Sequence, residues 1–226
     1  DLAVTVHHNT VRGFGEGLGF YQCADGCNSG VFRSIAAYSN DLTDNTVGIY
    51  FGGLIPADVS PIIHHNRIYG NVSTDKGLQN DLTRSVTAEN NWWGCNGGPA
   101  DAACVGVTGM VDADPRLVVS LTADQYRLTP GGVVHLTTWL NRNSDGADTS
   151  AQGTVMDGIP VTYTATEGTL DPVSGGLVNG TAGFTFTAPD PMTATTIRVS
   201  AALDHQIANF LFINGGYSVY LPIIMK

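Results

Sequence analysis

Two pairs of adjacent histidines are the side chains best suited to chemistry in this sequence. His7 and His8 recur as His64 and His65, and an asparagine follows each pair. Imidazoles bind transition metals and move protons near neutral pH. The repeat described below places one coil between the pairs and so separates them by about 10 Å at ~4.8 Å per coil, whereas one metal ion needs its ligands at ~2.1 Å. We therefore expect four polar residues beside a corner and no metal site.

Acidic side chains give no catalytic cluster either. Hydrolysis or elimination needs carboxylates that converge on one site, but those of the N-terminal half lie in turns, at different positions of the repeat. They are Asp41, Asp44, Asp58, Asp75 and Asp81. The sequence also lacks the GxSxG, HExxH, P-loop and dinucleotide-binding fingerprints. We expect no catalytic residue and no cofactor; calcium between Asp112 and Asp114 is the one candidate, although two carboxylates are few for that ion.

A recurring asparagine organises the first half of the chain, at spacings of 31, 26 and 25 residues. Its four copies are Asn9, Asn40, Asn66 and Asn91. In every copy an apolar residue stands three positions before the asparagine and another two positions after it. A period of this length with asparagine at the corners is typical of a parallel β-solenoid. Because asparagine tolerates left-handed backbone angles and its amide can bond the next coil, we expect the four to form a ladder.

The fourth copy reads NNWWG and is followed by a Gly-Pro loop and the segment VDADPRL. An open solenoid end exposes unpaired strands, and an atypical last repeat usually covers it. Alternation along the strand predicts that Trp93 points into the solenoid and Trp92 points out. An outward Trp92 could stack on a sugar, which makes it a candidate glycan contact.

These motifs resemble the right-handed parallel β-helix repeats of pectate-lyase-like and many bacterial surface proteins, in which such an ending often closes the stack. The resemblance covers residues 1–116. It implies a rigid exported scaffold or, as an alternative, the C-terminal fragment of a β-helix polysaccharide lyase or hydrolase.

The second half changes pattern and predicts about seven short strands separated by turns, as in an antiparallel sandwich over residues 117–214. Within it, a spaced set resembles the signature of bacterial immunoglobulin-like domains of the invasin and intimin type. The matching residues are Gly158, Val161, Tyr163, Ala165, Gly168 and Leu170. The polar insertion from Asn143 is expected to be an exposed loop. The predicted fold class is therefore all-β, a right-handed parallel β-helix followed by an immunoglobulin-like sandwich.

The cysteines indicate the cellular compartment of the protein, and its net charge limits the classes of partner it can bind. Cys23 with Cys27 and Cys95 with Cys104 form two close pairs, which favours two local disulfides in a secreted or cell-surface protein. Zinc is the rival interpretation, but neither pair has CxxC spacing and no histidine lies within either loop. Twenty acidic and ten basic residues give a net charge of −10. That charge opposes phosphate binding, so we expect no nucleic-acid partner.

Residues 215–226 form an apolar tail in which every second residue is apolar. The alternating residues are Tyr217, Val219, Leu221 and Ile223. The tail is too short to span a bilayer, which takes ~20 helical residues. It could serve in sorting, pack on its own sandwich, or pair as a strand with a sheet edge of a neighbouring molecule.

The leading hypothesis is a non-catalytic surface structural or adhesive protein. Asp1 leads directly into a repeat strand without a recognisable cap, so the first coil should expose backbone and apolar surface. We expect self-association into a head-to-tail filament, or contact with another cell-surface protein. The alternatives are the enzyme fragment named above and a glycan-binding module.

Overall fold

A computed structural model describes residues 2–22, 31–71 and 76–213. These residues form strands, turns and loops without any α-helix, which confirms the all-β prediction. The contacts divide the chain into two compact units. One unit comprises Asp1–Val118 together with Asn141–Met156, and the other comprises Val119–Leu140 together with Asp157–Lys226.

The N-terminal unit is a parallel β-solenoid of about three turns, as predicted. Its strands are β1 (Leu2–His7), β2 (Thr10–Arg12), β3 (Glu16–Gln22), β4 (Phe32–Tyr38), β5 (Asp41–Thr43), β6 (Val47–Gly53), β7 (Ile62–His64), β8 (Arg67–Tyr69), β9 (Leu78–Asn80), β10 (Val86–Thr87), β11 (Val107–Thr108) and β12 (Val111–Asp112). They form three sheets with the orders β1-β4-β7-β10-β12, β2-β5-β8 and β3-β6-β9-β11. The first three coils each contribute one strand to each sheet in turn, and β10, β11 and β12 extend two of the sheets.

The register of the sheets places apolar residues of one coil directly beside apolar residues of the next coil. Leu42 of β5 lies between Val11 and Ile68, and Ile49 of β6 pairs with Leu78 of β9. The interior members of these rows are fully buried. Each such side chain contributes about 1.5–3 kcal/mol through removal from water. The repeated apolar positions of the sequence are thus the core of the solenoid.

A column of glycines brings adjacent coils close together in the third sheet. Gly48 follows Gly17 by one coil and precedes Gly77 by one coil. A Cβ atom at Gly48 would lie only 2.9 Å from Asn71 Nδ2, and still closer to the Gly77 carbonyl oxygen. Any larger residue would therefore force the coils apart, which explains the glycine at the second position of β3 and of β6 and directly before β9.

The second unit consists of two four-stranded antiparallel sheets. Its strands are β13 (Leu117–Ala123), β14 (Val133–Asn143), β15 (Pro160–Ala165), β16 (Thr169–Asp171), β17 (Ser174–Gly176), β18 (Thr181–Thr187), β19 (Thr196–Leu203) and β20 (Gln206–Ile213). The sheet orders are β13-β14-β18-β16 and β17-β15-β19-β20. Aromatic side chains join the two sheets: Tyr163 stacks on Phe184 with ring centroids 3.8 Å apart, and Phe186 faces Phe212.

The insertion after Asn143 differs in part from the exposed loop predicted for it. Most of its residues are exposed, but Asn143, Thr149 and Val155 are buried. Asn143 Oδ1 accepts hydrogen bonds from the backbone N–H groups of Asp145 and Ala147. Contacts also place residues 141–156 with the solenoid. Composition indicates a turn-rich loop correctly, because it reports local backbone preference, but it carries no information on the surface against which the loop packs.

Candidate functional site

The four recurring asparagines form a ladder along one corner of the solenoid. Asn66 Oδ1 accepts hydrogen bonds from the backbone N–H of Asn40 at 3.0 Å and from its Nδ2 at 2.9 Å. Asn91 Oδ1 does the same for Asn66, and Asn40 Oδ1 for Asn9. Asn66 Nδ2 also donates to the carbonyl of Ala37 in the coil before it. Each amide therefore satisfies backbone groups that the turn would otherwise leave unpaired.

The residue before each asparagine adopts a left-handed backbone conformation. These residues are His8, Ser39, His65 and Asn90, with φ between 53° and 55°. Histidine and asparagine are among the non-glycine residues enriched in that region. The position was recognisable in the sequence as a polar residue in all four copies, but nothing in the sequence distinguished a corner requirement from a chemical role.

Residues 152–156, the corner strap, run along this same corner. The contacts are Asn90 Nδ2 to Gln152 Oε1 (3.5 Å), Gly153 beside the His65 ring, Ser39 Oγ to the Thr154 carbonyl (2.7 Å) and Thr10 Oγ1 to Met156 Sδ (3.8 Å). The strap thus contacts all four asparagine-bearing coils in succession. Sequence reasoning missed this arrangement because the strap and the coils lie far apart in the chain.

His65 is the most enclosed ionisable group at the corner. Its side chain is fully buried, its Nδ1 lies 2.7 Å from Nδ1 of His64, and its Nε2 has no partner among the described residues. Burial, and then the neighbouring His64, lower the pKa of His65 from 6.5 to about 4. His65 is therefore neutral at pH 7, and a single proton is shared between the two Nδ1 atoms.

The two histidine pairs lie two coils apart, with Tyr38 on the coil between them, as the repeat predicts. His7 stacks on Tyr38 with ring centroids 5.0 Å apart and an interplanar angle of 2°, and Tyr38 stacks on His64 at 5.2 Å and 8°. These three rings form an aromatic ladder on the outer face of the first sheet. Within the described part of the chain, no three His, Cys, Asp or Glu side chains are grouped so that they could hold a metal ion.

Two acidic residues of the coils, Asp41 and Asp81, are held in structural contacts. Asp41 is buried and accepts hydrogen bonds from Arg67, at 2.9 Å, and from Arg12 of the first coil. Asp81 accepts hydrogen bonds from the Tyr50 hydroxyl and from the Gln79 amide. Of the calcium candidates, Asp114 Oδ1 accepts a hydrogen bond from Arg116 Nη1 at 2.6 Å, and Asp112 lies on β12. Calcium binding there stays a prediction.

Both tryptophans of the last repeat are fully buried. Trp93 belongs to the apolar cluster that fills the solenoid, whereas Trp92 lies outside that cluster. The prediction that Trp92 points to solvent is therefore wrong, and a side chain without exposed surface offers no ring face to a sugar. Alternation along a strand gives the direction of a side chain but not what covers the outer face.

The last coil is closed by segments that satisfy its backbone. The Pro115 carbonyl accepts a hydrogen bond from Asn90 N–H, the Asn91 carbonyl accepts one from Leu117 N–H, and the Trp93 carbonyl accepts one from Val105 N–H. Cys95 and Cys104 lie at disulfide distance, with Cα atoms 5.1 Å apart. We call residues 111–117 the closing segment.

Among the described residues, no strand pairs with the outer edge of the first coil. Strands β1, β2 and β3 each lie at the edge of their sheet. Large apolar side chains of this coil are exposed: Leu2 by 46%, Phe14 by 62% and Tyr21 by 60%. Among the described residues, Asn9 Oδ1 accepts no hydrogen bond, although the equivalent oxygen accepts two in every following coil. This end is the candidate functional surface.

Several predicted residues lie outside the described part of the chain. They are Cys23 and Cys27 of the first cysteine pair, and Tyr217, Val219, Leu221 and Ile223 of the tail. Across the described ranges no helix is long and apolar enough to cross a membrane. The chain matches no protein-family profile, no curated protein and no solved structure.

Proposed function

We propose that this chain is a non-catalytic structural or adhesive protein of the cell exterior that associates end to end through its open first coil. The observation that carries the proposal is the difference between the two ends of the solenoid. One end has its backbone satisfied by a closing segment, and the other presents three edge strands and exposed apolar side chains. An exposed sheet edge of this kind is a template for another strand.

The geometry of β1 defines what would bind there. Val4 and Val6 point toward the solenoid core and are only partly buried, whereas Thr5 between them points outward and is exposed. A strand laid beside β1 would cover both valines if it presented an apolar residue at every second position. Its backbone would also pair with the free side of β1.

The proposed occupant is the tail of a second copy of this chain. Tyr217, Val219, Leu221 and Ile223 supply apolar residues at every second position over a length like that of β1. The tail contains no acidic residue, so it would approach a chain of net charge −10 without local repulsion. Its proline, Pro222, suits a strand at an edge.

Two further features belong to this proposal. A right-handed β-helix of the pectate-lyase-like type followed by an immunoglobulin-like sandwich of the invasin type would be a rigid surface scaffold. The Cys95–Cys104 pair supports export, because disulfides persist in oxidising compartments.

Electron microscopy and light scattering of the purified chain and of a variant ending at Asn214 test the proposal. We expect filaments or oligomers from the full chain, and monomers from the shortened variant and from Val6→Glu. Thr5→Glu is the matched control, because it adds the same charge to the outer face of the same strand and should assemble normally. A monomeric full chain would overturn the assembly, and oligomers that persist without the tail would overturn the choice of occupant.

A further inference from the structure

A cavity of about 230 Å³ lies at the end of the aromatic ladder. Its lining includes His64 of the aromatic ladder, the carboxylate residue Glu89, Thr87, and Gln152 of the corner strap. Ile62, which is 56% exposed, supplies an apolar wall. The cavity is smaller than the ~300–1,000 Å³ of sites for drug-sized ligands. It therefore suits a small group.

The ladder lacks a fourth ring at this cavity. Tyr38 covers one face of His64. In the next coil Ile62 pairs with Thr87, and His65 N–H donates to the Asn90 carbonyl, so Glu89 occupies the position that follows His64. A ring at the same spacing of about 5 Å would lie beside Glu89, on the side of His64 that Tyr38 does not cover.

The cavity offers a carboxylate without a partner. Glu89 is half-buried, and its carboxylate makes no hydrogen bond or ion pair with any described residue. Gln152 Oε1 and the Thr87 hydroxyl add acceptors nearby. Burial lowers the pKa of His64, so this ring is neutral at pH 7 and does not repel a cation. The net charge of −10 favours a cation further.

We propose that this cavity binds a planar guanidinium group, which stacks on His64 as the fourth rung of the ladder and donates hydrogen bonds to the Glu89 carboxylate. A guanidinium is flat, stacks on aromatic faces and presents paired N–H donors that match a carboxylate. An ammonium group carries the same charge, but it is not planar and does not present two parallel N–H donors. Shape and charge together therefore distinguish the two cations.

An NMR titration with methylguanidinium at pH 7, observing the imidazole C–H signals of His64, tests this site. We expect a saturable shift, weaker binding of methylammonium by about tenfold, and weaker binding of methylguanidinium to Glu89→Gln by about tenfold, because the neutral amide loses the charge-assisted hydrogen bonds to the guanidinium. Glu16→Gln is the matched control, since Glu16 lies on the third sheet, and it should bind normally. Equal binding of both cations, equal binding to Glu89→Gln, or the absence of a saturable shift would overturn the proposal.

Variants of His64 separate stacking from folding. His64→Phe keeps a flat ring and should retain binding within about threefold, whereas His64→Ser should weaken binding about tenfold, because it removes the ring that the cation stacks on. Equal binding to both would show that the ring does not form the site. A peptide with one central arginine identifies the source: saturation by the peptide points to an arginine side chain, and saturation by methylguanidinium alone points to a free small molecule.

Discussion

The first and the last coil of the solenoid carry the same asparagine, yet they differ in what lies beyond them. At the last coil, the closing segment pairs with the backbone of Asn90 and Asn91, and Trp93 is fully buried in the core. At the first coil, Asn9 Oδ1 accepts no hydrogen bond from the described residues, and Phe14 is largely exposed. One repeat sequence can therefore form an interior layer or an edge of the solenoid, according to what lies beyond it.

The difference also shows what an end of a solenoid requires. The closed end uses two buried tryptophans, the Cys95–Cys104 loop and the closing segment, whereas the large rings Phe14 and Tyr21 of the first coil are exposed. Each device removes apolar or backbone surface from water. Matched substitutions at the two ends should therefore differ in their effect on stability, and the following predictions test that difference from the largest effect to the smallest.

Removal of the closing ring should cost the most. Trp93→Ala leaves a large void in the solenoid core, and we expect the free energy of unfolding to fall by about 4 kcal/mol. Phe14→Ala at the open end removes a ring that is 62% exposed and should change it by less than about 0.5 kcal/mol. Urea denaturation of both variants measures the contrast. Equal losses would mean that the first coil is covered in solution.

The asparagine ladder should show the same asymmetry. Asn66→Ala removes a buried amide that bonds to both neighbouring coils, and we expect a loss of about 3 kcal/mol because backbone groups are left unpaired. Asn9→Ala affects one coil contact at an exposed position and should cost less than about 1 kcal/mol. Thermal unfolding of the two variants provides the comparison, and a larger effect at Asn9 would contradict it.

Acid should lower the free energy of unfolding, because His65 is buried at the asparagine-bearing corner. The pKa of His65 is about 4 in the folded chain and ordinarily 6.5, so the unfolded chain binds a proton that the folded chain excludes. Stability should therefore fall as the pH drops from about 6.5 to about 4 and change little further from this group below that range. At about 1.4 kcal/mol per pKa unit the loss is about 3 kcal/mol.

Unfolding curves between pH 7 and pH 4 measure this loss. His65→Asn keeps a residue suited to the left-handed corner and should remove most of the dependence. His8→Asn, at the equivalent and exposed position of the open coil, should leave the dependence intact. A His65→Asn variant with the original pH dependence would assign the effect to other groups.

The disulfide should have the smallest of these effects. Cys95 and Cys104 close a loop with a sequence separation of nine residues, for which chain entropy gives about 2.5 kcal/mol. The paired variant Cys95→Ser, Cys104→Ser should lose about that amount in urea denaturation. The same titration of the unaltered chain under reducing conditions should reproduce the loss, and an unchanged midpoint in both would contradict it.

Periodic features of the fold were predictable, and features that depend on distant segments were not. Asn40, Asn66 and Asn91 could be assigned to a ladder because their spacing sets the coil length and their chemistry suits a turn. The burial of Trp92 could not be predicted, because alternation describes one strand at a time. Calcium at Asp112 and Asp114 stays a prediction, as does the role of the tail.

The two candidate sites also differ in whether they depend on segments that are distant in the chain. The exposure of the first coil was expected from the sequence, since the first repeat lacks a recognisable capping pattern, and its role in assembly stays a prediction. The cavity beside His64 was not expected, because it requires Glu89 from the next coil and Gln152 from a segment that is 62 residues away from Asn90 in the chain. Pattern analysis finds residues that repeat, whereas this cavity arises at the position where the aromatic repeat stops.

The corner strap has a mechanical consequence. A solenoid whose coils contact only their neighbours can unravel one coil at a time from an exposed end. Residues 152–156 contact Thr10, Ser39, His65 and Asn90, one from each of four coils. Peeling away the first coil therefore also breaks a contact to a segment that holds the others. Under a pulling force, the coils should therefore yield together at one high force instead of separating one after another at small forces.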